Sequence, residues 1–183
     1  RIRHRIMQLH DATDYKFWDI AAENCYNVGL FQLSHGLIDI AEVNLRNAIR
    51  LWLKDTDSYC GRAAVAMSSL GAAYATKGNF EKALTCYSEA NRIAKSNPKA
   101  PYSYEATSLA LFGLAEIRLR SGQFSLADSL LQEFDSLRKS TETIKEYELV
   151  GATQLAAESQ FLQGNIAAAD SLVRSLDSLY QNS

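Results

Sequence analysis

Four glycines of this chain fall into one column. Gly36, Gly78, Gly122 and Gly164 are spaced 42, 44 and 42 residues apart. Two residues after each comes a large apolar side chain (Ile38, Phe80, Phe124, Ile166), and five after each comes an alanine (Ala41, Ala83, Ala127, Ala169). The column continues nine residues on with Leu45, Tyr87, Leu131 and Val173, then with Ala48, Ala90, Phe134 and Leu176, and then with Leu51, Ile93, Leu137 and Leu179. Steps of three and four trace one face of an α-helix. Self-similarity at a fixed period of this length is the mark of a repeat architecture. Small residues seven before each glycine (Gly29, Gly71, Ala115, Ala157) give a first helix room to approach a second whose alanine column faces it. The glycine itself suits the left-handed turn that ends the first helix.

The pattern predicts helices over 19–35, 38–53, 62–77, 80–96, 103–121, 124–140, 146–163 and 166–181. Breakers gather between repeats, at Asp55–Ser58 and at Asn97–Pro101, where both prolines of the chain lie. Four repeats follow, 19–61, 62–102, 103–145 and 146–183, with no domain boundary inside the stack. Residues 1–18, where Ile2, Ile6 and Leu9 have helical spacing, read as an N-terminal capping helix or the remnant of a preceding repeat. The fourth repeat leaves Val173, Leu176 and Leu179 with nothing downstream to cover them. A solenoid normally ends in a helix with one polar face. The expectation is partial exposure of these three, a fragment of a larger protein, and possible self-association through an uncapped C-terminal repeat.

The second repeat carries the sharpest resemblance. Leu70-Gly71-Ala72-Ala73-Tyr74, then Gly78-Asn79-Phe80, Ala83, Tyr87, Ala90 and Pro98 resemble the tetratricopeptide repeat in its long, 42–44-residue variety. In the other repeats Gln32, Arg118 and Gln160 stand where that pattern has the first-helix tyrosine. The resemblance implies an all-α, right-handed superhelical solenoid of four helix-turn-helix repeats. Its working surface would be a concave groove lined by first helices. By that register the groove residues are Tyr26, Leu30, Val65, Ser68, Ala72, Leu109, Phe112, Glu116, Gln154 and Glu158, with Glu23 beside Tyr26, and about a third of the lining positions belonging to the core instead. Chaperone-binding members of the family clamp a terminal carboxylate with Lys and Asn; here Tyr26, Leu30, Ser69, Leu109 and Gly113 occupy those slots, so that role is disfavoured. The implied function is a protein–protein interaction module, a scaffold or adaptor holding a partner's peptide segment. The alternative is a ligand-sensing regulatory domain of a signalling or transcription-regulating protein.

Composition and motifs narrow the rest. Net charge is −2, and the C-terminal third carries four Lys/Arg against nine Asp/Glu. There is no polybasic footprint for nucleic acid or an anionic membrane. The three cysteines, Cys25, Cys60 and Cys86, are widely spaced with no CxxC, which favours buried thiols over a metal site or disulfide framework. Cys60, near a loop, is the remaining candidate for a reactive thiol. His35, at the end of a first helix, reads as a partner of the helix C-terminus. Glu116 and Glu158 occupy one repeat position and read as a solvated or peptide-facing pair that favours a basic ligand residue. No P-loop, GxGxxG or HExxH is present, so no enzyme, cofactor or metal is expected. A cytoplasmic location is favoured.

Overall fold

The computed structural model describes residues 2–54, 56–140 and 146–181, and the side chains of 17–54, 59–140 and 149–177. Eight helices and no strand occur among the described residues: α1 Ile2–Ser34, α2 Ile38–Trp52, α3 Thr56–Thr76, α4 Phe80–Ser96, α5 Ser103–Arg120, α6 Phe124–Lys139, α7 Glu146–Leu162 and α8 Ile166–Gln181. The fold is all-α and built of repeated helical hairpins. Packing divides the chain into two compact units, residues 1–107 and 108–183. The division falls inside α5, whereas the repeat pattern gives no boundary within the stack. In an array where each repeat touches only its neighbours, no single core forces one cooperative body.

All four column glycines have φ between 71° and 81°. Each ends its helix with the same pair of bonds. Leu37, Asn79, Gln123 and Asn165 donate their backbone N–H to the carbonyls of Gln32, Tyr74, Arg118 and Gln160 at 2.8–2.9 Å, while each glycine N–H reaches back three residues. This is the Schellman arrangement, which satisfies carbonyls left open at a helix end. The residue after the glycine also begins the next helix. Its carbonyl accepts the N–H of the column alanine, as in Leu37 to Ala41 and Asn79 to Ala83, both 3.0 Å. One glycine and one following residue therefore both stop a helix and start its antiparallel partner.

The alanine column lies at the contact that this turn creates. Ala41, Ala83 and Ala127 are fully buried and Ala169 is 6 % exposed. In the first two hairpins the small residue seven before the glycine faces the position nine after it. A Cβ on Gly29 would meet Leu45 at 3.0 Å, and one on Gly71 would meet the Tyr87 ring at 3.0 Å. The column twelve after the glycine faces the same way. It buries Leu176 together with Ala48, Ala90 and Phe134. The expectation of an exposed Leu176 is thereby corrected, because this column faces its own hairpin and needs nothing downstream. Val173 is 48 % exposed, as expected. The side chain of Leu179 lies outside the described residues.

Two helices begin earlier than the pattern predicts. α1 runs unbroken from Ile2, so residues 2–18 continue into the first repeat's helix without a turn. α3 begins at Thr56, inside the segment expected to be a breaker. Thr, Asp and Ser are as favourable at the start of a helix as in a loop, and Asp in a first turn complements the helix dipole.

In the first unit, polar bonds join one hairpin to the next. Tyr74 donates its hydroxyl to Glu42 Oε1 at 2.6 Å and accepts from Arg46 Nη2 at 2.6 Å. Lys77 also pairs with Asp39. The second unit repeats the first bond at the same separation of 32 residues. Asp128 accepts from Gln160 at 3.2 Å, and also from Ser159 at 2.6 Å and Gln163 at 2.9 Å. The second unit's core is Leu111, Ala115, Leu131, Phe134 and Ala152, with Phe112 and Leu155 packed against it.

The Tyr74 hydroxyl holds the Glu42 carboxyl below its ordinary value of 4.5, helped by Arg46 and opposed by partial burial. A depressed carboxylate contributes stability that is complete above the ordinary glutamate range and lost as pH falls through the folded-state value. Tyr74→Phe should cost about 1.5 kcal/mol at neutral pH, the lower end of the range for a bond to a charged group. Denaturant titrations at pH 7 and pH 3 check this. The difference between parent and variant should shrink at pH 3, and a constant difference would show that the bond contributes nothing electrostatic.

Candidate functional site

The first unit contains a cavity of about 120 Å³ lined by Glu23, Tyr26, Trp52, Arg62, Val65, Tyr102 and Glu105. First helices of successive repeats supply most of this lining: α1 gives Glu23 and Tyr26, α3 gives Arg62 and Val65, and the start of α5 gives Glu105. Trp52 closes it from the end of α2 and Tyr102 from the loop before α5.

Arg62 organises the site. Its Nη1 donates to Asp19 Oδ1 at 3.0 Å and to Glu23 Oε2 at 2.9 Å. Asp19 Oδ1 also accepts from Trp52 Nε1 at 2.9 Å, so one carboxylate orients both the guanidinium and the indole. The guanidinium lies 5.1 Å from the Tyr102 ring centroid and 6.0 Å from those of Trp52 and Tyr59. Tyr26 and Trp52 meet with ring centroids 5.6 Å apart, tilted by 58°.

Tyr102 is held there by backbone geometry. Its φ is +66°, the left-handed region that a tyrosine rarely adopts. The loop that carries it crosses α3 directly over Gly61. A Cβ on Gly61 would sit 2.0 Å from the Pro101 carbonyl oxygen and 2.6 Å from Ser103 N. Ser103, almost fully buried, donates its hydroxyl to the Asn97 carbonyl at 2.8 Å and ties the loop's two ends.

The residues expected to line the groove separate into three groups. Tyr26 and Val65 come together in the cavity, with Glu23 beside them. Val65 is nevertheless 7 % exposed, and Ser68 is 3 % exposed, so Ser68 lends the surface no area. Leu30 and Ala72 are exposed on the first unit. In the second unit, Gln154 and Glu158 are exposed and Leu109 is half-buried. Phe112 packs on the core, with its ring 3.1 Å from where a Cβ on Gly151 would lie. Glu116 pairs with Arg120 of its own helix at 2.6 Å.

Arg62, Trp52, Tyr102 and Glu105 were not legible as site residues. Arg62 is the one charge in Gly61-Arg62-Ala63-Ala64-Val65, and a lone charge in an alanine-rich first helix was the available signal. A second depression, of about 610 Å³, lies between α6, α7 and α8. It is lined by Asp128, Gln132, Asp135, Gln160 and Leu172 among others, and contains none of the expected groove residues.

The other candidates are quiet. Cys60 is 2 % exposed, which closes it to reagents. Burial pushes the Cys86 thiol up, away from the thiolate form. His35 Nδ1 lies 2.8 Å from the Phe31 carbonyl, the helix-end role expected of it. Among the described residues no group of His, Cys, Asp and Glu could hold a metal ion, and no helix is long and apolar enough to cross a membrane.

No family model matches the chain, and no curated protein matches it. Among solved structures it is similar to one described as a functional characterization of pilF from Pseudomonas aeruginosa. That match has 16 % identity over 90 % of this chain and 77 % of the other, with a TM-score of 0.38. At that identity and score the fold rests on this chain's own four turns and buried columns.

Proposed function

We propose that this chain is a protein–protein interaction module, a scaffold or adaptor, that holds a peptide segment of a partner against its first helices. The four repeats at 19–61, 62–102, 103–145 and 146–183 are its building units. The observation that carries this reading is the cavity in the first unit. Residues from two successive first helices, Tyr26 and Val65, meet there in a concave, aromatic and charged site whose walls are already fixed. A receptor with fixed walls loses little ordering entropy on binding. Aromatic side chains in partly desolvated pockets are the usual binding hot spots. Tyr26, Leu30 and Ala72 offer surface on the first unit, and Leu109, Gln154 and Glu158 on the second.

The test begins with affinity capture on the folded chain, mass spectrometry of what is retained, and mapping of the bound segment to a synthetic peptide. Tyr26→Ala should then weaken that peptide by about 2 kcal/mol, roughly thirtyfold. Glu116→Lys should weaken a peptide that carries a basic residue near the second unit. Phe112→Ala is a poor probe because its ring supports the core, so circular dichroism must accompany it. Unchanged affinity in both Tyr26→Ala and Glu116→Lys would remove the first-helix surface as the working face.

A further inference from the structure

We infer that the cavity around Arg62 receives a basic side chain, the ammonium of a lysine or the guanidinium of an arginine, presented by the partner's peptide segment. This deepens the peptide-binding reading and rests on it. Charge decides the sign of the ligand. The lining holds two carboxylates, Glu23 and Glu105, against one cation, and Asp19 stands behind that cation. Arg62 already donates to both Asp19 and Glu23, so an incoming anion would meet a guanidinium that is more than matched and an excess of negative charge. An incoming cation meets the opposite field.

The aromatic walls favour the same ligand. Tyr26, Trp52 and Tyr102 surround the space, and the Arg62 guanidinium lies 5.1 Å from the Tyr102 ring centroid. Ring faces attract cations within about 6 Å of their centroids, so a wall of this kind tolerates a second cation better than a polar wall would. Size restricts the choice further. The cavity, about 120 Å³, is smaller than the roughly 150 Å³ space that admits benzene in an engineered core. It fits an ammonium or guanidinium head with its last methylenes and excludes an indole. Glu23 keeps 45 % of its side chain exposed, so the head group enters without losing all its water.

The test titrates the full 183-residue chain with three capped amino acids, N-acetyl methylamides of lysine, arginine and norleucine, and follows the indole N–H resonances of the two tryptophans. Lysine and arginine probes should shift the Trp52 signal saturably at millimolar concentration, and norleucine should not. Raising salt from 50 to 500 mM should weaken the shift. Two variants change the lining, with circular dichroism as the check on the fold. Tyr102→Asn removes the ring and suits a positive φ, and Glu105→Gln removes one charge at constant shape. Each should weaken the cationic probes about fivefold. Equal response to norleucine, or shifts that ignore both variants, overturns the assignment. A capped pentapeptide Ala-Leu-Lys-Leu-Ala separates the two readings. If it binds no more tightly than capped lysine, the cavity takes a cation but the peptide groove fails. If it binds well and both variants leave it unchanged, the groove stands and this assignment falls.

Discussion

Gly61→Ala should destabilise the first unit by about 3 kcal/mol or more, although Gly61 lies within a helix where alanine is normally the better residue by about 1 kcal/mol. The sign is reversed by what lies outside the helix. The added methyl would sit 2.0 Å from the Pro101 carbonyl oxygen, 2.6 Å from Ser103 N and 2.9 Å from the Tyr102 carbonyl carbon. All three are backbone atoms, so no side chain can rotate away; the loop must lift off α3. Lifting it costs the Ser103 to Asn97 bond and moves Tyr102 away from Arg62. Urea denaturation should show the loss of stability, and tryptophan fluorescence should show the altered surroundings of Trp52. Unchanged or increased stability would mean that helix propensity wins and that the loop does not cross as described.

Ala83→Leu should cost about 3 kcal/mol, at the upper end of what overpacking produces. Ala83 is fully buried, and its own N–H is committed to the Asn79 carbonyl at 3.0 Å within the turn. The hairpin turn is one of the tightest constraints in the chain, so the two helices cannot separate at that point to admit three more carbons. α3 and α4 would have to splay toward their far ends, where Tyr87 packs on Gly71. A thermal melt is the direct measurement, with a fall on the order of 10 °C expected if the first unit unfolds as one body. A loss of under 1 kcal/mol would place the helix contact elsewhere on α4.

The hairpins were legible because their information is local. A glycine, the residue after it and an alanine five along specify a turn whose every bond lies within ten residues. That is why Gly36, Gly78, Gly122 and Gly164 located six of the eight helices to within about two residues at both ends. The early start of α3 falls at Thr56-Asp57-Ser58, residue types that serve a loop and a helix start equally well, whereas α1 takes in the segment read as a separate capping helix. The groove was legible only in part. Periodicity assigns Val65 and Ser68 to a helix face but does not say how deeply the neighbouring helix covers it, and both are buried. Phe112 is drawn to the core because Gly151, four decades of sequence away, leaves a recess for its ring. The cavity's other members come together through the crossing of a loop over Gly61. That contact joins residues forty apart, and no periodic signal encodes it.

The shared cap also governs where this chain tolerates changes of length. Because one residue after each glycine already belongs to the next helix, an insertion there would rotate that helix by about 100° and swing its alanine away from the contact. The connections from one hairpin to the next vary in length: three residues separate α2 from α3, and six separate α4 from α5. The two extra residues of the 44-residue spacing fall in the second of these stretches, between Ile93 and Glu105 in the repeat alignment, where the Tyr102 loop is built. Insertions and deletions are therefore absorbed on the side where the hairpins are joined, away from the alanine column at the turns.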